Sequence, residues 1–561
     1  MPISRRIISI LALLVFVAPA GAALTARFEA ASGDYQVISD HPAWTLSGRI
    51  DRPCTPLPAQ SGADRIGSFV ETSVGFTVNS VPLVASIRTY AGKPLALFSL
   101  QYAASSDAPA AAFPDFTSMP SGLNSLVYTD RVFAPPAFNG NPGAGPLLDF
   151  DSKLNAMIIS PANHFFLQQA SGNGIHQLAC ELNAQMGDIP AGFSQQTLVA
   201  ISPGINRTWE IWGNALTQLQ GKRRPPNNAD LPLSDLGYWT DNGAFYYYNY
   251  DRKLGYEGTL LNLADYFRRR EIPVRYMQLD SWWYEKSWTD TDGKTGKSKN
   301  NGLPAGAWNR YGGLLEYRAD PAVFPHGLAG FHQKLGLPLV THNRWIDPAS
   351  PYHQQYKISG IVAVDPRWWG DIMNYLKSSG VVTYEQDWLS EMDYHSPALN
   401  STVDAADEFL NSMSSAAAED GMSLQYCMEL PSYYLQASRY SNLTTCRVSN
   451  DSFDRSRWHD FLYVSRLASA VGVWPWADVC KSTDTGSLLL QTLSGGMVGF
   501  GDKMGAESTA NLAMAARADG VLVKPDVPIV PVDSAYLAEA RETPETPVAL
   551  VASTYTDDGG L

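Results

Sequence analysis

Charge is scarce in this chain, and positive charge scarcer still. Of 561 residues only 17% are Asp, Glu, Lys or Arg, and the balance is −14. A deficit of cations on this scale argues against nucleic acid or an anionic membrane surface as a partner. Histidine is limited to 9 residues and cysteine to five, with no Cys/His spacing that builds a zinc site. No apolar run, the N-terminal one included, is long enough to read as a span of a bilayer. Internal repeats and low-complexity tracts are also missing. With 45% hydrophobic residues the chain is globular, and at this length it exceeds the roughly 250–300 residues that one core supports. Two or three domains are expected.

What is present is aromatic. The chain has 15 Trp, 27 Tyr and 21 Phe. Most must fill cores, and a minority suits a carbohydrate site, where flat rings pack on the apolar faces of sugars. The N-terminus reads as a secretory signal over residues 1–23: Arg5 and Arg6, the apolar run Ile7–Val17, then small residues at Ala20-Gly21-Ala22. Secretion in turn predicts two disulfides among Cys54, Cys180, Cys427, Cys446 and Cys480, and glycosylation at Asn206, Asn400 and Asn442 in a eukaryotic host. The Asn450 sequon is discounted, because it lies inside the site proposed below. No membrane contact is expected after cleavage, and the sequence does not specify an oligomer.

Residues 24–225 read as an all-β sandwich, with short β-branched runs such as Gly67–Val78 and Leu95–Gln101 between turn-rich stretches. Lys222–Pro232 reads as a linker. From 226 to 520 strands alternate with helices. The strand candidates are Asp235–Thr240, Val274–Asp280, Pro338–His342, Val381–Asp387, Met422–Cys427, Thr445–Ser449, Gly472–Trp476 and Gly496–Phe500. Eight such units predict a (β/α)8 barrel. Residues 521–561 read as a C-terminal β segment, either short or truncated.

A (β/α)8 barrel carries its chemistry at the C-terminal ends of its strands. Acids gather there: Asp241, Asp280, Glu385, Asp387, Glu429, Asp451, Asp478 and Asp502. A strand-end Asp is most often a helix cap, and that reading is kept for Asp478 and Asp502. Asp387 differs, since strand alternation puts Thr383, Glu385 and Asp387 on one face. Asp451 follows Arg447 by four residues, with Asp454 as its nearby competitor. Two carboxylates across a pocket are what glycoside hydrolysis uses.

The motifs resemble those of the α-galactosidase and raffinose-synthase clan of retaining glycoside hydrolases, over roughly Asp235 to Gly505. Leu236-Gly-Tyr-Trp-Thr-Asp241, Tyr276-Met-Gln-Leu-Asp-Ser-Trp-Trp283, Phe324-Pro-His-Gly-Leu328 and Gly495-Gly-Met-Val-Gly-Phe-Gly-Asp-Lys503 are similar to its first-strand, second-strand, pre-third-strand and eighth-strand elements. The resemblance implies a β-sandwich before the barrel and a β domain after it. It implies Asp387 as nucleophile, Asp451 as acid/base, and Asp280 and Arg447 as sugar contacts, with Trp239 as a pocket aromatic and no metal or organic cofactor. Where the family has Lys-x-Asp, this chain has Glu385-Gln386-Asp387, and the second Asp of the family's Asp-Asp pair is Ser281. Glu385 is expected to accept hydrogen bonds from substrate, with Arg447 or Arg344 compensating its charge. Glu429 is either a pocket group or a solvated strand end. Of Trp282 and Trp283, one is expected in the core and one, taken as Trp283, in the pocket. His342 reads as a satisfied core or rim histidine. The implied activity is cleavage of terminal α-glycosides, α-galactosides first. The alternatives are transfer to an acceptor sugar, as in raffinose synthases, and carbohydrate binding without catalysis on a degenerate barrel.

Overall fold

The computed structural model describes residues 23–29, 31–287, 312–451, 457–542 and 549–556. Residues 1–22, where the secretory signal was expected, Asp454 and Ser452 of the fourth sequon lie outside them.

The N-terminal half is two antiparallel sheets packed face to face, one of six strands and one of nine. The larger sheet is buried on both sides. In its strand Leu95–Tyr102, Ala96, Phe98 and Leu100 meet the smaller sheet, while Leu95 and Leu97 face the opposite way, toward the rest of the molecule. Strand Ser194–Pro203 divides likewise, Val199 and Ile201 against Leu198 and Ala200. Period-two alternation therefore sorts apolar residues between two cores, and such strands read as continuous apolar runs.

One element corrects the all-β reading. Ile205–Gln220 is a helix, with Ile205, Thr208, Trp209, Trp212 and Leu216 buried along one stripe and Gly221 ending it in the left-handed region, at φ 78°. Trp212 Nε1 donates to Ser160 Oγ at 2.9 Å in the larger sheet. On its other flank the helix meets the barrel helix Trp458–Ala470 so closely that a Cβ on Gly213 would lie 2.1 Å from Ala470 O. The stretch read as a linker is pinned down: buried Lys222 donates to Ala437 O at 2.9 Å, and Thr444 Oγ1 donates to Asp230 Oδ2 at 2.6 Å.

The barrel strands are Gly237–Trp239, Tyr276–Leu279, Leu339–Asn343, Val381–Gln386, Ser423–Tyr426, Leu443–Arg447, Trp474–Trp476 and Gly499–Phe500. Each overlaps one of the eight expected segments, the sixth starting and ending two residues earlier than expected. All pair in parallel, in chain order, and the eighth returns to lie beside the first. A bridge between Cys480 and Phe500 joins the chain after the seventh strand to the eighth. Helices Gly255–Arg269, Gly327–Leu335, Pro366–Ser378, Ala405–Glu419, Trp458–Ala470 and Thr485–Leu493 alternate with these strands, as expected.

The C-terminal segment is less β than expected. It holds the helix Asp533–Glu539 and a two-residue ladder between Val530–Pro531 and Ala552–Ser553. The disulfide expectation also fails, since all five cysteines are free. Cys427 and Cys446 are on neighbouring strands but belong to different cores, because Cys446 lies opposite Tyr426 and Cys427 takes the alternate face. The sequon asparagines are internally engaged: Asn206 Nδ2 donates to Asp533 Oδ1, Asn400 Nδ2 to Asp393 Oδ2 and Asn442 Nδ2 to Ser414 O. In this conformation those amide nitrogens are committed to the fold.

Candidate active site

Alternation along the fourth strand does what the residue pattern predicts. Glu385 is buried in the barrel interior, and Asp387 follows it at the strand end, only 9% exposed. The second strand repeats the arrangement, with Gln278 below and Asp280 above. Gln278 Nε2 donates to Glu385 Oε2 at 3.1 Å, and Asp280 N donates to Thr240 Oγ1 at 3.1 Å. Such layers are how a small parallel barrel fills its interior.

Asp387 is held on two sides. Its Oδ1 accepts from Trp388 N at 2.6 Å, and its Oδ2 meets His342 Nε2 at 2.9 Å. The other ring nitrogen of His342, Nδ1, lies 3.1 Å from Tyr284 Oη, which also accepts from Arg344 Nε at 3.1 Å. Burial pushes the Asp387 carboxyl up, but the His342 bond and charge, with Arg447, outweigh it and hold the pKa at about 2. Burial works against charge on His342 as well, and Asp280, Asp387 and Glu385 together raise its pKa. Reading His342 as a core histidine therefore misses its part: its ring is the direct partner that lowers the Asp387 pKa.

Glu385 is a correction of a different kind. Burial pushes its pKa to about 8, with Asp387 and Asp280 adding to the rise and His342 opposing it. At neutral pH it is largely protonated, and it lies one layer beneath Asp387, not at the rim. The compensating positive neighbour is His342, in register with Glu385 on the adjacent strand, and not Arg344 or Arg447.

Arg447, buried at the end of the sixth strand, gathers the other acids. Its Nη2 pairs with Asp451 Oδ1, and its Nη1 lies 3.7 Å from Asp478 Oδ1 and 3.9 Å from Asp241 Oδ2. Asp451 also accepts from Asn242 Nδ2 at 2.8 Å, and its side chain is 49% exposed, so it stands at the mouth. Burial raises the Asp478 pKa to about 6, with Arg447 opposing the rise. Asp478 is thus no helix cap, and neither is Asp502, whose Oδ2 accepts from Ser482 N at 2.7 Å. The caps of the neighbouring helices are Asp484 and Ser508. Over the Arg447 guanidinium lies the ring of Phe133, at 4.9 Å, brought there by the N-terminal domain in a turn with φ 65°. Phe133 N donates to Glu429 O at 2.9 Å. Nothing in the local sequence around Phe133 marks it as a site residue; the domain docking does.

Three expected contacts are placed elsewhere. Glu429 is fully buried behind the sixth strand, where its Oε1 accepts from Arg447 N at 3.2 Å and burial pushes its pKa to about 8. Trp239 points into the barrel floor, donating to Tyr276 Oη at 3.0 Å and meeting Trp476 edge-on. Trp283 is fully buried among Tyr284 and Tyr317, and Trp282 stacks on Tyr256 at 3.8 Å, so both are core rings. The residues that do converge are Asp280, His342, Asp387, Arg447 and Asp451, with Asp241 and Asp478.

No protein-family model matches the chain, and no curated protein matches it. Among solved structures it is similar to the α-galactosidase from Lactobacillus brevis, at 10% identity and TM-score 0.53, covering 83% of this chain and 70% of that one. A GH36 α-galactosidase from Geobacillus stearothermophilus, solved with raffinose, matches at 10% identity and TM-score 0.51, over 88% and 74%. A second form of that enzyme, solved with stachyose, matches at 11% identity and TM-score 0.51, over 89% and 74%. At these identities the likeness is one of fold, and it extends across the sandwich and the barrel together.

Proposed function

We propose that the protein is a retaining glycoside hydrolase that cleaves terminal α-galactosides, with Asp387 as nucleophile and Asp451 as general acid/base. The observation that carries this reading is the state of Asp387, a buried strand-end carboxylate kept ionised by His342 and Arg447 at a barrel mouth where Asp451 stands half exposed. An ionised Asp387 attacks the anomeric carbon as the glycosidic C–O bond breaks, and Asp451 supplies the proton to the leaving oxygen. Asp451 then takes a proton from water, whose oxygen displaces Asp387 from the glycosyl-enzyme. Asp280 and Arg447, buried beside the reacting carboxylate, are the groups placed to hold the sugar hydroxyls. The α-galactoside is favoured by the motif resemblance and by the raffinose and stachyose bound in the similar folds. Secretion, read from the N-terminal residues, belongs to the same proposal, and fractionation of the producing cells checks it.

Asp387→Asn tests the assignment on an aryl α-galactoside. Turnover is expected to fall by roughly three orders of magnitude or more, as for other lost nucleophiles, while NMR of the wild-type reaction shows the α-anomer first. Undiminished turnover removes Asp387 from the mechanism, and initial β-anomer removes the double displacement. Sugar binding without turnover of any aryl glycoside would leave a binding protein.

A further inference from the structure

A cavity of about 360 Å³ opens at the N-terminal end of the seventh barrel strand, at the other end of that strand from Asp478. It is walled by the helix Ile205–Gln220, the stretch Arg224–Pro225, the barrel helix Trp458–Ala470 with Gly472–Trp474 after it, and the C-terminal segment around Val530. Arg466 lies on this wall and is only 7% exposed, yet among the described residues it has no ion pair, and its Nε makes no hydrogen bond. The bond it does make, Nη2 to Asn206 O, is 3.4 Å long. Arg224, on the same wall, is satisfied by Ser469 O at 2.9 Å and Ala470 O at 2.5 Å, with Thr217 Oγ1 at 3.5 Å. Burial pushes both guanidinium pKa values down, Arg224 to about 10, with Arg466 adding to the effect.

A desolvated cation without an ion pair costs several kcal/mol, which the more distant charges of Glu210 and Asp533 offset only in part, since burial still pulls the Arg466 pKa down. The acids facing this cavity are Glu210, which is exposed, and Asp526, which accepts from Asn227 Nδ2 at 3.1 Å. Neither lies within ion-pair distance of Arg466. Beside the arginines the wall offers the exposed amide of Asn214 and an aromatic face, Trp474, fixed by its Nε1 bond to Pro225 O at 3.0 Å. A guanidinium fork matches carboxylate and phosphate groups, an amide oxygen accepts from a hydroxyl, and an indole face packs on sugar C–H groups. We infer that this cavity binds a small polyhydroxylated anion, a sugar carboxylate or sugar phosphate of monosaccharide size, with its acid group on Arg466. The site is separate from the barrel mouth, so it stands or falls independently of the hydrolase proposal.

Titration calorimetry on the full chain tests this with glucuronate, glucose 6-phosphate and glucose. Saturable binding of at least one of the two anions is expected, with glucose weaker by at least about tenfold. The preferred anion identifies the acid group. Binding is expected to vanish in Arg466→Met, to weaken by a similar factor in Asn214→Trp, which fills the mouth from an exposed helix position, and to persist in Asp387→Asn. Asn214→Trp keeps the test valid if Arg466→Met fails to fold. Absence of saturable binding by both anions overturns the proposal. Binding that survives Asn214→Trp overturns it too, because the anion is then held elsewhere.

Discussion

Burying a carboxylate disfavours its charge, yet Asp387 has a pKa of about 2 while Glu385, two residues earlier on the same face, has one of about 8. The difference is partnership. Asp387 hydrogen-bonds the His342 ring and faces Arg447, whereas Glu385 bonds only the neutral Gln278 amide, and the more distant pull of His342 is opposed by Asp387 and Asp280. Replacing His342 by Gln removes a charge-assisted bond worth about 1.5–3 kcal/mol, so kcat/KM is expected to fall roughly 10- to 150-fold. The acidic limb of its pH profile should move upward, because the Asp387 carboxyl loses the partner that lowers it. A purely structural histidine would lower activity without moving that limb. The same groups set stability. The raised His342 pKa contributes below about 6.5 and is lost as pH rises through its folded value. The depressed Asp387 pKa contributes above about 3.9 and is lost as pH falls through about 2. Glu385 and Glu429, both near 8, keep protons that the unfolded chain releases above about 4.3, so each costs stability progressively between there and pH 8. Glu429→Gln keeps the acceptor for Arg447 N and cannot ionise. Its melting temperature should match wild type near pH 4 and exceed it at pH 8, and a gap that does not widen with pH would show that Glu429 ionises freely.

At the scale of elements, the helix Ile205–Gln220 shows how distant parts of the chain complete one another. Its N-cap is Gly204, which has no side chain to cap with, and the free N–H groups of Ile205 and Asn206 donate instead to Asp533 Oδ2 and Oδ1, each at 2.9 Å. Asp533→Ala should cost about 1–2 kcal/mol, the range for a lost cap plus a favourable dipole contact, read as a shift in denaturant midpoint at unchanged slope. A shift that high salt abolishes would mean that charge alone, and not the two bonds, is at stake. The Phe133 turn acts on the site. Phe133→Ala removes a ring over Arg447, a contact worth about 0.5–2 kcal/mol, and kcat/KM should drop roughly 2- to 30-fold. These elements also show what was legible beforehand. The barrel strands were, because each is a short apolar run between helical periodicities. So were Glu385 and Asp387 on one face, by alternation. The helix at 205–220 carried its own signal, an Ile205, Trp209, Trp212, Leu216 stripe closed by Gly221, but it stood inside a β-rich region and was absorbed into it. His342, Asp478 and Phe133 were not legible as site residues, since what makes them so is the partner across a strand or a domain, and pairing across strands leaves no local pattern.

At the scale of the molecule, the N-terminal domain and the barrel share one core. Leu95, Leu97, Leu198 and Ala200 of the larger sheet, Trp209 and Trp212 of the helix, and Phe461, Leu467 and Val471 of the barrel belong to one continuous buried cluster. Polar ties cross the same boundary: Tyr128 Oη donates to Tyr463 O at 2.8 Å, and Lys222 Nζ to Ala437 O at 2.9 Å. Domains joined by small polar interfaces move and melt separately, whereas a large apolar one couples them. Cutting the chain after the sandwich would expose Trp209 and Trp212, or remove them and bare the barrel helix beneath. It would also take Phe133 from the mouth. The barrel expressed from residue 231 onward is therefore expected to be insoluble or inactive. In the full chain, calorimetry should give a single transition, with loss of activity and loss of far-UV signal at the same temperature. Two resolved transitions, with activity lost only in the one that melts the barrel, would mean that the sandwich is a passenger and that the ring over Arg447 contributes nothing to the reaction.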